Sequence, residues 1–141
     1  MSFYVTTPIF YGNGEPHLGH ASSTMAADSL ARHMRQRGED VFFLTGTDEP
    51  GEPVAVGAER EGITPQQLGD RCAEQFRDMV GKVDSTNDFF IRTTDPGHIE
   101  RVQKVVEQVK ENGYVYRGTW TGWYCPRCAD FKNESEIGPG D

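Results

Sequence analysis

The 141-residue chain has no run approaching 18 consecutive apolar residues, so no segment reads as a membrane-spanning helix. It is poor in positive charge: 14 Lys and Arg stand against 22 Asp and Glu, a net charge of −8. Sequence-independent nucleic-acid binding works by neutralising phosphates with cations, so this piece by itself is a poor candidate for it. Cysteine is scarce, three residues in all, an odd count that fits a reducing compartment better than a disulfide framework. The first residues, Met1 to Val5, carry no basic leader and no apolar signal core, so a cytoplasmic location is expected. Two common phosphate cradles, G-x-x-x-x-G-K-S/T and G-x-G-x-x-G, are both missing. There is no internal repeat and no low-complexity tract. What is present, 35% hydrophobic and 11% aromatic residues, suffices for one globular domain with a real core and argues against a disordered acidic tail.

The pattern along the chain predicts an α/β fold. Residues 3–7 are β-branched and aromatic and read as a strand, with a turn-rich loop from Phe10 to Pro16 after it. Leu18 to Arg37 reads as a helix stopped by Gly38. Val41 to Leu44 is a continuous apolar run, as expected of a buried parallel strand. Strand, helix and strand make a βαβ unit with parallel strands. Val54 to Arg60 reads as a short helix ending at Gly62, and Thr64 then caps a longer one with Pro65 at its first position. In that helix Leu68, Cys72, Phe76, Met79, Val80 and Val83 share one face, which makes Cys72 a buried core thiol. Phe89 to Ile91 is a further short strand. Asp95 and Pro96 open another helix whose stripe of Ile99, Val102, Val105, Val106 and Val109 is expected in the core, and Asn112-Gly113 ends it. His33 and His98 read as solvated helix residues. From Tyr114 to Trp123 the composition turns aromatic and β-branched around Gly118 and Gly122, predicting antiparallel ribbon.

The most informative segment is Pro16-His17-Leu18-Gly19-His20, where the first strand gives way to the first helix. A helix start presents unpaired N–H groups and the positive end of the dipole, and so attracts phosphate. Two histidines three apart lie on one side of that turn, and Gly19 lets a nucleotide approach the backbone. Both imidazoles can donate to phosphate oxygens that gain charge during displacement. A capping or solvated pair is the competing reading. The second pattern is Cys125-Pro126-Arg127-Cys128, which has zinc-knuckle spacing. A redox C-x-x-C would open a helix, which the residues after Cys128 do not promise.

The stretch Thr6-Thr7-Pro8-Ile9-Phe10-Tyr11-Gly12-Asn13-Gly14-Glu15-Pro16 with the histidine motif resembles the start of class I aminoacyl-tRNA synthetases, and methionyl-tRNA synthetases above all. Ala26-Ala27-Asp28, the block from Arg37 to Glu49, Phe90 to Asp95, and Gly122 to Cys128 agree in order, so the resemblance covers nearly the whole chain. It implies the first half of a Rossmann-like nucleotide-binding fold over residues 1–113. The start of a zinc-knuckle insertion would follow over 114–141. The implied reaction is activation of methionine by ATP and Mg²⁺ to methionyl-adenylate, with transfer to tRNA(Met), and no membrane partner.

Residue by residue, the resemblance gives His17 and His20 the catalytic role, with Tyr11, His17, Gly19 and His20 contacting ATP. It places Ile9 and Tyr11 against methionine, whose thioether suits an aliphatic and aromatic wall. Asp48 would hold the substrate's ammonium. Cys125 and Cys128 would be half of a structural zinc site, since nothing after Cys128 is Cys or His. One departure stands out: the family commonly has His then Gly after the D-E pair, and this chain has Pro50 then Gly51. The resemblance also leaves parts of a synthetase unmatched. None of the four lysines lies in a K-M-S-K-S-type loop, and the second half of the nucleotide fold is not represented. Two other readings remain open: a small stand-alone nucleotidyltransferase built on H-x-G-H, and an inactive zinc-ribbon fragment.

Overall fold

The central element is one long strand on which every other strand of the main sheet pairs. The computed structural model describes residues 2–12, 14–119, 121–125 and 130–138. β1 (Ser2–Thr6) and the two-residue β2 (Phe10–Tyr11) run parallel to β3 (Asp40–Asp48), and β4 (Phe89–Arg92) pairs parallel with its other edge. The registers show this: Thr6 and Phe89 are both partners of Leu44, and Phe10 and Arg92 both partners of Thr47. All three neighbours run the same way as β3, so their carboxyl ends gather at its own carboxyl end. That edge is where open α/β sheets bind ligands.

The helices are α1 (Leu18–Gln36), α2 (Glu52–Glu61), α3 (Pro65–Lys82) and α4 (Pro96–Glu111). Their ends follow local rules. Thr64 caps α3 by accepting from Gln67 N–H while Gln67 reaches back to Thr64 N–H, with Pro65 at the first position. Gly62 closes α2 in the left-handed region at φ 67°. α1 and α3 pack on β3 and touch each other. Phe43, Thr45 and Thr47 on β3 are fully buried, as are Thr24 and Ala31 on α1. On α3, Leu68, Cys72, Phe76 and Val80 are buried, as the predicted stripe requires, and Val54 and Ala58 of α2 pack against Leu68 and Cys72. Burial pushes the Cys72 thiol above its ordinary range, which suits a core residue.

Three expectations need correction. Phe10-Tyr11 is a strand and not loop, because the chain after Pro8 rejoins the edge of β3. The ribbon is β5 (Trp123–Cys125) paired antiparallel with β6 (Asp130–Lys132), and residues 114–119 form no strand. The α4 stripe is not core: Ile99, Val102, Val105, Val106 and Val109 are all exposed. Periodicity reports that a face is apolar, not that something covers it. The same holds for the sheet, where Tyr4 and Phe42 stack on each other with ring centroids 6.0 Å apart and stay exposed. A parallel sheet is normally covered on both faces; α1 and α3 pack on β3, while the Tyr4 and Phe42 side chains stay exposed. His33 is exposed and His98 half-buried.

A polar tie fixes α1 to the entrance of β4. The buried Asp28 carboxylate accepts from Thr86 N–H and Oγ1 at 2.7 and 2.6 Å and pairs with Arg32. Burial alone would raise its pKa, but the bonds from Thr86 and Arg32 outweigh that and hold it below the usual range. A carboxylate with a depressed folded-state pKa contributes stability that is present above its unfolded value, near 4, and lost as pH falls through the folded one. The urea unfolding midpoint should therefore drop below about pH 4. Asp28→Asn should lower the midpoint at neutral pH and flatten that acid decline. An unchanged acid slope would show that Asp28 is not among the responsible groups.

Candidate active site

Where β2 ends, the loop leads straight into α1, and the first residues of the helix hold the two histidines. His17 is the N-cap, in extended conformation, and His20 is the third helical residue. They cap the helix reciprocally. Gly19 N–H donates to His17 Nδ1 at 3.1 Å, and His17 N–H donates to His20 Nδ1 at 3.2 Å. This is a capping box built from imidazoles. It settles the tautomers: each Nδ1 is an acceptor, so each neutral ring carries its hydrogen on Nε2. The rings stack with centroids 3.7 Å apart and planes 24° apart. The two stacked rings thereby direct their Nε2 atoms away from the cap.

His20 is seated on an aromatic shelf. Its ring lies 5.0 Å from both Phe10 and Phe76, edge-on to the latter, and Phe10 stacks on Phe76 at 4.8 Å. Phe10 comes from β2 and Phe76 from α3, so three elements fix one imidazole. Burial lowers the His20 pKa, and the neighbouring His17 lowers it further. Both effects favour the neutral donor near neutral pH. Gly19 has a steric reason as well. A Cβ there would lie 2.9 Å from His17 Cε1 and 3.0 Å from Nδ1, displacing the ring that the Gly19 N–H holds.

Both histidines line a cleft of about 480 Å³, together with Ile9, Phe10, Tyr11 and Glu15. Ile9 and Tyr11 expose 37% and 63% of their surface, so their side chains are open to a ligand. Asp48 does not line this cleft; it is the register partner of Tyr11, which does. Its carbonyl accepts from Gly12 N–H at 2.9 Å, and its side chain is half-buried at the carboxyl end of β3. The structure thus brings His17, His20, Ile9 and Tyr11 to one cleft, with Gly19 beneath His17 and Asp48 beside Tyr11.

Beside Asp48 lies a group that the sequence alone does not single out. Glu49 is buried, and its carboxylate accepts from Thr47 Oγ1, Thr94 Oγ1 and both arms of Arg92. Burial alone would raise its pKa; the bonds from Arg92, Thr94 and Thr47 outweigh that and hold it below the usual carboxylate range. The D-E pair was a visible signal, but nothing local pointed to Arg92. Phe76 was likewise legible only as core.

The cysteine pair is half in view. Cys125 ends β5, and Cys128 lies outside the described residues. Among the described residues no three His, Cys, Asp or Glu side chains form a metal cluster. One thiolate is short of the four ligands that a structural zinc takes.

The comparisons with known proteins bear on this geometry. The family model described as tRNA synthetases class I (M) matches residues 3–139. The chain belongs to the class I tRNA synthetases (M). Methionine–tRNA ligase of Thermotoga maritima is 51% identical over 137 residues, 97% of this chain and 22% of that protein. The enzyme of the same name from Mesorhizobium japonicum is 48% identical over 99% of this chain and 27% of its own length. This class I synthetase segment thus spans about a quarter of such relatives. Among solved structures, Mycobacterium tuberculosis methionyl-tRNA synthetase in complex with methionyl-adenylate superposes with a TM-score of 0.93 at 40% identity. That match covers 96% of this chain and 26% of that one. A LeuRS of Agrobacterium radiobacter K84, 23% identical with a TM-score of 0.80, shares the fold. The expected α/β fold with its parallel sheet, and the synthetase resemblance, are both borne out.

Proposed function

We propose that this segment is the amino-terminal part of a methionine–tRNA ligase, carrying the ATP and methionine half-site in residues 1–113 and the start of a zinc-knuckle insertion in 114–141. The observation that carries the reading is the self-capped, stacked histidine pair opening onto a cleft that Tyr11, the register partner of Asp48, also lines. Its relatives are named methionine–tRNA ligases, and one is solved with methionyl-adenylate.

In the reaction, methionine's carboxylate attacks the α-phosphate of ATP in line; one phosphorus–oxygen bond forms as the bond to pyrophosphate breaks. A ribose hydroxyl of the 3′-terminal adenosine of tRNA(Met) then attacks the methionyl carbonyl, forming the ester as the bond to AMP breaks and AMP leaves. His17 and His20 donate Nε2–H to phosphate oxygens as their charge rises. The aligned N–H groups at the start of α1 add to the same field. Ile9 and Tyr11 contact the thioether side chain, and Asp48 pairs with the ammonium. Mg²⁺ carried with ATP would offset part of the triphosphate charge. No nucleophilic side chain is required, because positioning and charge stabilisation carry such transfers. Cys125 and Cys128 would supply two thiolates to a structural zinc completed by residues further on, outside the nucleotide site. The ligase would work in the cytoplasm, and no helix among the described residues is long and apolar enough to cross a membrane.

ATP–pyrophosphate exchange tests this. The full-length protein should exchange with methionine and be at least about tenfold less active with isoleucine, since one pocket contact is worth that much. The 141-residue segment alone should give little exchange. Exchange that needs a phosphorylated small acceptor, and no amino acid, would favour a stand-alone nucleotidyltransferase instead.

A further inference from the structure

The Glu49–Arg92 pair invites a question of purpose. Glu49 is among the most deeply buried charges described, its side chain 2% exposed, and Arg92 is 17% exposed. Replacing such a buried pair with apolar groups commonly costs little stability, so stability alone is a weak account of it. Its geometry is specific. Arg92 Nε donates to Glu49 Oε1 at 2.6 Å and Nη2 to Oε2 at 2.8 Å, a bidentate fork. Nη2 also donates to Asp70 Oδ1 of α3 at 2.6 Å. The pair therefore joins the carboxyl ends of β3 and β4 to α3.

The peptide between Asp48 and Glu49 lies at the middle of this arrangement. Its carbonyl accepts from Gly12 N–H at 2.9 Å, just beyond β2. Its N–H donates to Thr93 Oγ1 at 2.9 Å, just beyond β4. One peptide unit is thus held from both sides, and the side chain it carries on its amino side is that of Asp48. We propose that Glu49 and Arg92 are positioning residues for the methionine site: by locking β4 to the end of β3 they fix the Asp48 carboxylate where it meets the substrate's ammonium. The inference rests on the assignment of Asp48 to that ammonium. Neither Glu49 nor Arg92 lines the cleft.

The test uses the full-length ligase carrying this segment, with Glu49→Gln and Arg92→Lys. Each keeps a polar group in place and loses either the charge or the fork. Two inhibitors separate positioning from general damage: methioninol, which keeps the ammonium, and 4-(methylthio)butanoate, which lacks it. Both variants should raise the KM for methionine and the Ki for methioninol by about tenfold, a modest displacement of one contact. The KM for ATP and the Ki for 4-(methylthio)butanoate should stay within about twofold. Asp48→Asn is the control and should show the same selective loss. If Asp48→Asn leaves methioninol binding intact, the ammonium assignment itself falls. If Asp48→Asn weakens methioninol while Glu49→Gln and Arg92→Lys do not, the positioning role is overturned. Equal weakening of both inhibitors would also overturn it, since a merely structural pair would damage the whole pocket. Should Glu49→Gln fail to fold, Arg92→Lys carries the same comparison.

Discussion

If the proposed function holds, His17→Asn in the full-length protein is expected to leave α1 capped and still slow methionine activation by about a hundredfold or more. Asn is a good N-cap, and its side-chain oxygen can accept from Gly19 N–H as His17 Nδ1 does. Its amide nitrogen, however, falls short of the place where the imidazole holds Nε2–H. Capping should survive while the proposed phosphate donor is lost. His20→Gln is the complementary change. Gln at the third helical position completes a capping box, here with His17 N–H, while its amide keeps a donor on a longer arm. It should retain more activity than His20→Ala, which loses both the donor and the contact with Phe10 and Phe76. The KM for methionine should move little in all three, because neither imidazole is placed on the amino acid. The measurement is the rate of ATP–pyrophosphate exchange at saturating methionine, set beside the unfolding midpoint. A fall in midpoint that accounts for the lost rate would make the pair structural only.

How much of this was legible follows from how local each signal is. The histidine motif is five residues long and marks a strand-to-helix turn, so its place could be read directly. Thr64 with Gln67, Gly38 at φ 79° and Gly62 ended their helices where turn chemistry predicts. β2 was not legible because two residues carry no periodicity; only the neighbouring strand makes Phe10-Tyr11 a strand. The site partners that were missed come from far along the chain. Arg92 reaches Glu49 across 43 positions, and Phe76 meets His20 from another helix. An apolar stripe identifies a face of a helix, and the stripe of α4 is exposed where that of α3 is buried. Burial depends on a partner, and this segment spans about a quarter of the relatives' length, 22% and 27% in two of them. A stripe with nothing described on it is what such a segment should expose.

Gly46→Ala is expected to be the most damaging single methyl in the segment. Gly46 is buried mid-way along the carboxyl half of β3, opposite Ile91 of β4. A Cβ there would sit 2.0 Å from the Ile91 carbonyl oxygen and 2.6 Å from Ile91 Cγ2. The nearer clash is with backbone, so no rotamer change relieves it; the strands must part. Overpacking of a core commonly costs 1–3 kcal/mol, and a backbone clash this deep should cost about 3 kcal/mol or more. Parting β4 from β3 also withdraws Arg92 and Thr93, two of the groups that hold the Asp48–Glu49 corner. Stability and methionine affinity should therefore fall together, although Gly46 lies outside the cleft wall. Gly12→Ala makes the matched comparison. Its Cβ would meet the Asp48 carbonyl oxygen at 3.5 Å, an ordinary contact, so it should change stability by under about 1 kcal/mol. Urea unfolding midpoints of the two variants decide the matter. Equal midpoints would mean that β3 and β4 do not approach as closely as the Gly46–Ile91 register requires, and the hold on Asp48 would lose its foundation.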